Sequence, residues 1–188
     1  MTTPEPGTHR SGPSLATIGV YGWTLDAFLE ALREAGVRLL LDVRQRRGVR
    51  GSEYAWANSQ RLQDALAAAG IAYEHRPELA PTTELRQLQY AEDERSGVGK
   101  RSRTELAPAY VHRFTTEILD AADLAPVIEL LPEEGAAALL CVERDAEACH
   151  RSLVAERLAA EAGLPLRHLV PEDYRASTRV RKARTQST

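Results

Sequence analysis

The sequence predicts an α/β fold, a three-layer, Rossmann-like sandwich around a mostly parallel sheet, with a helical insertion between sheet strands. Three observations predict it. Short β-rich runs alternate with amphipathic helical runs, the order of a parallel sheet joined by helical crossovers. Two of the runs, RLLLDV at 38–43 and AAALLCV at 136–142, are apolar without alternation, as strands covered on both faces are. The stretch 78–125 carries helical periodicity but no strand-like run, so it enters as an insertion.

Residues 15–21 form the first strand. Thr24 then caps a helix with Asp26 in its first turn, where Leu25, Phe28, Leu29 and Leu32 recur at helical spacing until Gly36 stops it. The second strand is 38–43. Residues 45–58 (QRRGVRGSEYAWAN) show no period and read as a loop, long for a connection inside a compact domain and therefore a functional suspect. A helix over 59–69, through Leu62, Ala65, Leu66 and Ala69, closes at Gly70, and a third strand over 71–76 stops at Pro77. Helices over 83–95 and 108–122 flank a Gly/basic loop at 96–103, and a further helix at about 125–131 precedes the strand 136–142. From about Glu147 to Ala162 runs a helix with Leu153, Val154 and Leu158 on one face and Gly163 as its stop, followed by the last strand, 165–170. Residues 1–13 read as a disordered N-terminal arm and 175–188, with Arg175, Arg179, Arg181, Lys182 and Arg184, as a basic disordered tail; 14–174 make a single domain.

The chain of 188 residues is 43% hydrophobic and 27% charged, ordinary for a soluble domain with a sizeable core. A net charge of -3 gives no whole-molecule attraction to nucleic acid or anionic lipid, so any polyanion site is local. No stretch approaches the roughly 18–20 apolar residues of a membrane span, so no membrane is expected. The N-terminus also lacks the basic start and apolar core of an export signal. Both cysteines are therefore expected as thiols in the cytoplasm.

In open parallel sheets, ligands bind beyond the carboxyl ends of the strands. The residues at those ends are Tyr21 and Trp23, Asp42 and Arg44, His75 and Arg76, and the segment from Cys141 and Glu143 to Cys149-His150-Arg151. Cys149 opens a helix, where free N–H groups and partial positive charge favour a thiolate or a bound anion. His150 and Arg151 are donors for that anion; the competing reading is a buried thiol, a surface histidine and an arginine paired with Asp145. Asp42 is read as a general base or hydroxyl acceptor and Arg44 as an anion clamp, against the alternative of a buried pair that orients the loop. Arg46, Arg47 and Arg50, interleaved with Tyr54 and Trp56, suit charge neutralisation plus base stacking, against a solvated loop with Trp56 folded onto the core.

Thr17-Ile18-Gly19 with its following helix, Leu40-Leu41-Asp42-Val43-Arg44, Tyr73-Glu74-His75-Arg76-Pro77-Glu78-Leu79 and Cys141…Cys149-His150-Arg151, in this order over about 16–170, resemble the domain of unknown function 488 family, actinobacterial type. The resemblance implies a compact α/β fold in bacterial cytosol with a shared Cys–His–Arg segment, and no particular reaction. The chain departs from many members at Val20-Tyr21, where they resemble His-Ser. It departs again at Gln45-Arg46-Arg47-Gly48, where they carry proline and serine.

Sharper motifs fail. Gly99-Lys100 is no phosphate loop, because Glu94 stands where the first glycine belongs and Arg101 follows the lysine. A cysteine-phosphatase loop wants arginine six positions after Cys141, which is Glu147. For zinc, Cys141, Cys149 and His150 include adjacent ligands and no C-x-x-C, so no metal is expected, nor any cofactor. The expected function is a small cytosolic enzyme acting on a phosphorylated, nucleotide or nucleic-acid-type ligand. Cys149 or Cys141 would be its nucleophile or acid, Asp42 or Glu143 its base, and Arg44 and Arg151 its anion binders. Tyr21, Trp23, Trp56, Arg46, Arg47 and His150 would border the ligand. The alternative is a non-catalytic nucleic-acid-binding module using the basic loops and tail. Either is compatible with a homodimer.

Overall fold

Residues of the central strands divide by parity between two cores, which is why their apolar runs show no alternation. The computed structural model describes residues 12–99 and 102–171. Among these, strands β1 (Ser14–Gly19), β2 (Val37–Asp42), β3 (Ala72–His75), β4 (Ala136–Cys141) and β5 (Leu166–Leu169) pair in the order β3-β2-β4-β1-β5, all parallel. In β4, Ala137, Leu139 and Cys141 join one core, and Ala136, Ala138 and Leu140 the other. β2 splits likewise: Leu39, Leu41 and, just past the strand, Val43 face the first core, Leu40 the second.

The second core is closed by α1 (Leu25–Glu34) and α2 (Ser59–Ala68) through Phe28, Leu32, Leu62 and Leu66. The first is closed by α3 (Thr83–Arg95), α4 (Pro108–Phe114), α5 (Ala125–Ile128) and α6 (His150–Ala162), through Leu85, Phe114, Val127, Val154 and Leu158. The expected insertion is thus the β3-to-β4 crossover itself and supplies much of one layer of the sandwich. α4 runs on through a π turn, Thr115–Leu119, so the helix read over 108–122 is continuous as far as Leu119. Thr24 caps α1 by accepting from the Ala27 N–H at 3.3 Å, and Thr82 caps α3 by accepting from Leu85 N–H at 3.2 Å.

Two expectations need correction. Residues 45–58 are not all loop: Ser52–Ala57 is a 3₁₀ turn, whose three-residue period does not register in a search for helical or strand spacing. The last long helix begins at His150, not near Glu147, because Cys149 keeps an extended backbone (φ -140, ψ 139) as its N-cap. Most of the predicted N-terminal arm and all of the basic tail lie outside the described residues, as do Lys100 and Arg101. Among the described residues no helix is long and apolar enough to cross a membrane.

The edge pairing of β5 carries a titratable group. His168 lies opposite the fully buried Thr17, with its Nδ1 2.8 Å from the threonine Oγ1. Burial holds the His168 imidazole below its ordinary range; Arg151 acts in the same direction, and Glu147 and Glu156 oppose it. The unfolded chain therefore binds this proton more readily, so stability is full above about pH 6.5 and declines as the pH falls below it. Denaturant midpoints measured from pH 7.5 to 5 are expected to fall less in His168→Asn than in the parent chain. Parallel slopes would rule the histidine out as a source of acid sensitivity.

β2 and β4 are neighbours, yet the chain leaves β2 for helix α2 on the second face and leaves β4 for α6 on the first. Adjacent strands whose connections part in this way leave a crevice beyond their carboxyl ends.

Candidate functional site

That crevice opens into a cavity of about 610 Å³ bordered by Cys141, Cys149 and His150. Cys141 ends β4, Cys149 is the N-cap of α6, and His150 is the first residue of that helix. Neighbouring side chains in a strand point apart, but the change from extended to helical backbone at Cys149 turns the two to the same place. His150 Nε2 lies 3.0 Å from the Val43 carbonyl oxygen, which can only accept, so Nε2 carries the proton and donates it. Nδ1 then faces both sulfurs, 3.8 Å from Cys149 Sγ and 3.9 Å from Cys141 Sγ. The Phe114 ring lies 5.6 Å from the imidazole, centroid to centroid.

The thiols, 7% and 3% exposed, are buried yet border the cavity. Burial alone would raise the Cys149 thiol. Its contact with Cys141, its interaction with the His150 ring and the charge of Arg151 outweigh that and bring it well below the ordinary range. Cys141, a free thiol, is raised, chiefly by the adjacent Cys149 sulfur and then by burial. Desolvation pushes the Glu143 carboxyl up to about 7, with the Cys149 charge adding to the effect.

Arg151, expected as an anion donor, is fully buried and spends its guanidinium on the backbone. Nη1 donates to Glu143 O at 2.5 Å and Nη2 to Arg144 O at 2.9 Å, fixing the loop between β4 and α6. It is a positioning residue that also adds positive potential at the cluster. The Asp145 carboxylate pairs with Arg144, at 3.2 Å, and not with Arg151.

Asp42 and Arg44 do not share this cavity in the way the sequence suggests. Asp42 follows Leu40 by strand parity and faces the second core, opposite the thiols. Its carboxylate accepts from Arg44 Nε at 2.8 Å, Arg44 Nη2 at 2.7 Å and the Tyr73 hydroxyl at 2.7 Å, and Arg44 Nη1 donates to Ala57 O at 3.0 Å. Arg44 borders the cavity, but its guanidinium is taken; the pair orients the strand end and offers neither a base nor a clamp. Burial first, then the bond to Asp42, pushes the Tyr73 hydroxyl up to about 12.

The basic-aromatic loop is sorted by the 3₁₀ turn. Arg46 and Arg50 border the cavity. Arg47 does not border it and instead opposes, by its charge, the rise of the Tyr73 hydroxyl, and Trp23 and Trp56 pack on the second core, with Trp56 4.9 Å from the Phe28 ring. Tyr21 pairs with Tyr54 at 5.0 Å. Neither the stacking pair expected from Tyr54 and Trp56 nor the bordering residues Tyr21 and Trp23 line the cavity.

The far wall comes from the crossover, and of its residues only Arg103 is singled out in the sequence, as part of a basic loop. Arg86 on α3 bonds Gln45 and, at 2.9 Å, the Thr83 hydroxyl. Arg103 pairs with Asp93 at 2.9 Å and reaches Ala148 O at 3.4 Å. Tyr90 and Tyr110 are the aromatic residues bordering this space among the described residues. The spacing of Arg86 and Tyr90 places them on one helix face, a readable signal; which strand ends that face meets is tertiary information.

A family model described as "Domain of unknown function DUF488" matches residues 24–158, well over half of the 188-residue chain and inclusive of Cys141, Cys149, His150 and Arg151. No curated protein and no solved structure matches the chain.

Proposed function

The chain belongs to the DUF488 family, and from that premise we propose that its cavity binds a phosphorylated small molecule of the nucleotide class and transforms it beside the Cys141, Cys149 and His150 cluster. The observation that carries the reading is the charge of the rim. Arg46, Arg50, Arg86 and Arg103 border the space, against the single carboxyl of Glu143. Arg103 is neutralised by Asp93, whereas among the described residues no ion pair engages Arg46, Arg50 or Arg86. Guanidinium forks match phosphate oxygens two at a time, so several arginines around one cavity favour a phosphorylated ligand over a neutral one.

Volume and lining point the same way. A space of about 610 Å³ falls within the range of small-molecule sites, and its concave form suits a compact ligand better than an extended strand. Tyr90, exposed at the rim, offers a ring surface to a base, a contact worth about 1–3 kcal/mol, while Tyr110 is buried against Phe114. Thiol, imidazole and carboxyl groups at one buried floor are the residue types of acid, base and nucleophile chemistry.

Calorimetry on the full chain at low salt tests this with ADP, AMP, inorganic phosphate and adenosine. The phosphorylated compounds are expected to bind and adenosine to bind far more weakly. Arg86→Ala and Arg50→Ala are each expected to weaken ADP binding about 10- to 100-fold, the loss of a charge-assisted hydrogen bond. Turnover of the bound nucleotide is expected to vanish in Cys149→Ser while binding persists. Equal affinity for adenosine and ADP, or rim variants that bind as the parent does, would end the proposal.

A further inference from the structure

We infer that Cys141, Cys149 and His150 hold a zinc-type divalent metal ion at the cavity floor, with one coordination position left facing the cavity. The inference deepens the reading of this same site, but zinc binding needs no organic ligand and is testable apart from it.

The donor atoms converge. One from each of the three residues lies within 4.8 Å of the others. Metal–sulfur distances of about 2.3 Å and metal–nitrogen distances of about 2.0–2.1 Å place the nitrogen and sulfur donors of a tetrahedral site roughly 3.6 Å apart. The observed Nδ1-to-sulfur separations of 3.8 and 3.9 Å are within a few tenths of that value. Nδ1 is also nearly equidistant from the two sulfurs. A thiolate–imidazole pair built for nucleophilic attack favours one partner; equal sharing suits three donors around a common centre.

His150 is already prepared as a ligand. Because Nε2–H donates to Val43 O, the neutral ring turns the lone pair of Nδ1 toward the sulfurs. A backbone carbonyl on the remote nitrogen is the common way a ligating histidine is oriented. Cys149, although the N-cap of α6, makes no side-chain capping bond, and its sulfur turns to the cluster. Two thiolates balance the charge of a divalent ion, and two sulfurs with one imidazole select zinc over the oxygen-seeking magnesium or calcium. All three residues border the cavity, and three protein ligands with an accessible fourth position is the pattern of a metal that does chemistry. The sequence-level objection to adjacent ligands is met by the N-cap geometry, which lets Cys149 and His150 aim at one point.

The decisive measurement is a cobalt titration of the chelator-stripped, reduced full chain, followed by visible absorption. Expected are a thiolate-to-cobalt charge-transfer band and intense tetrahedral ligand-field bands that saturate at one cobalt per chain and disappear on adding zinc. Cys141→Ser with Cys149→Ser, and His150→Ala separately, are expected to lower zinc affinity by more than about 100-fold, since even the loss of an outer-sphere partner costs 10–100-fold. Gly48→Ala, outside both the cluster and the cavity lining, retains the metal. If the thiol variants do not fold, the parent chain decides alone: an absence of charge-transfer bands overturns the site. Bands that survive in a folded double serine variant overturn it equally. Cobalt bands without ADP binding leave the metal standing and remove the nucleotide reading; ADP binding without the bands does the reverse.

Discussion

Replacing Gly19 with alanine is expected to cost about 3 kcal/mol or more and to deform the loop that carries Glu143 into the cavity. A Cβ at Gly19 would stand 1.8 Å from the Glu143 carbonyl oxygen, 2.7 Å from its carbon and 3.2 Å from Arg144 Cα. These are backbone atoms, and the loop has nowhere to go. Val20 N–H and Tyr21 N–H each donate to Val142 O at 3.1 Å, and Arg151 grips the Glu143 and Arg144 carbonyls from the other side. Relief requires either breaking those bonds or drawing β1 away from β4, where Gly19 pairs with Cys141. Gly48→Ala is the matched control, because a Cβ there meets nothing within 4 Å. Chemical denaturation is expected to show a large drop in midpoint for Gly19→Ala and little change for Gly48→Ala. Equal midpoints would mean that the loop packs on β1 less tightly than described.

Gly19 was legible only as a position within the first strand and in the Thr17-Ile18-Gly19 run; the close approach that makes its size matter comes from a loop more than a hundred residues away. The strands themselves were readable because burial on both faces leaves an unbroken apolar signature, as in Ala136–Cys141. The helix start at Cys149 was readable within a residue or three, and with it the junction of a strand end and a helix N-terminus. What could not be read was the face. Asp42 and Cys141 both end buried strands, and only the register, Asp42 against Leu140, puts the carboxylate and the sulfur on opposite sides of the sheet. The same gap explains the arginines. Arg46 and Arg47 are neighbours in sequence, but the first borders the cavity and the second does not. Arg86, Tyr90 and Tyr110 were missed because a crossover's helical period fixes which residues share a face, not where that face docks, whereas Arg103 is legible only as part of a basic loop for nucleic acid.

Parity also changes what Asp42 is expected to do, and a mutant cycle makes the difference measurable. Arg44→Met leaves a fully buried carboxylate with only the Tyr73 hydroxyl and the Arg44 backbone N–H, the latter at 3.1 Å, as donors. Losing one member of a buried pair costs about 3–5 kcal/mol, because the survivor's charge remains uncompensated. Asp42→Asn is expected to cost a similar amount by stranding the guanidinium, whose remaining partner is Ala57 O. The double variant Asp42→Asn, Arg44→Met removes both charges together and is expected to be far less unstable than the sum of the two, a coupling of at least about 1 kcal/mol between contacting groups. Additive losses would mean the pair is not acting as a unit. A general base behaves differently: its amide leaves stability largely intact and removes turnover. Here the order reverses, with the denaturant midpoint falling first while the folded fraction of Asp42→Asn still binds cobalt and ADP. The reason is that the Asp42 carboxylate stands on the far side of the sheet and touches neither the sulfurs nor the arginine rim.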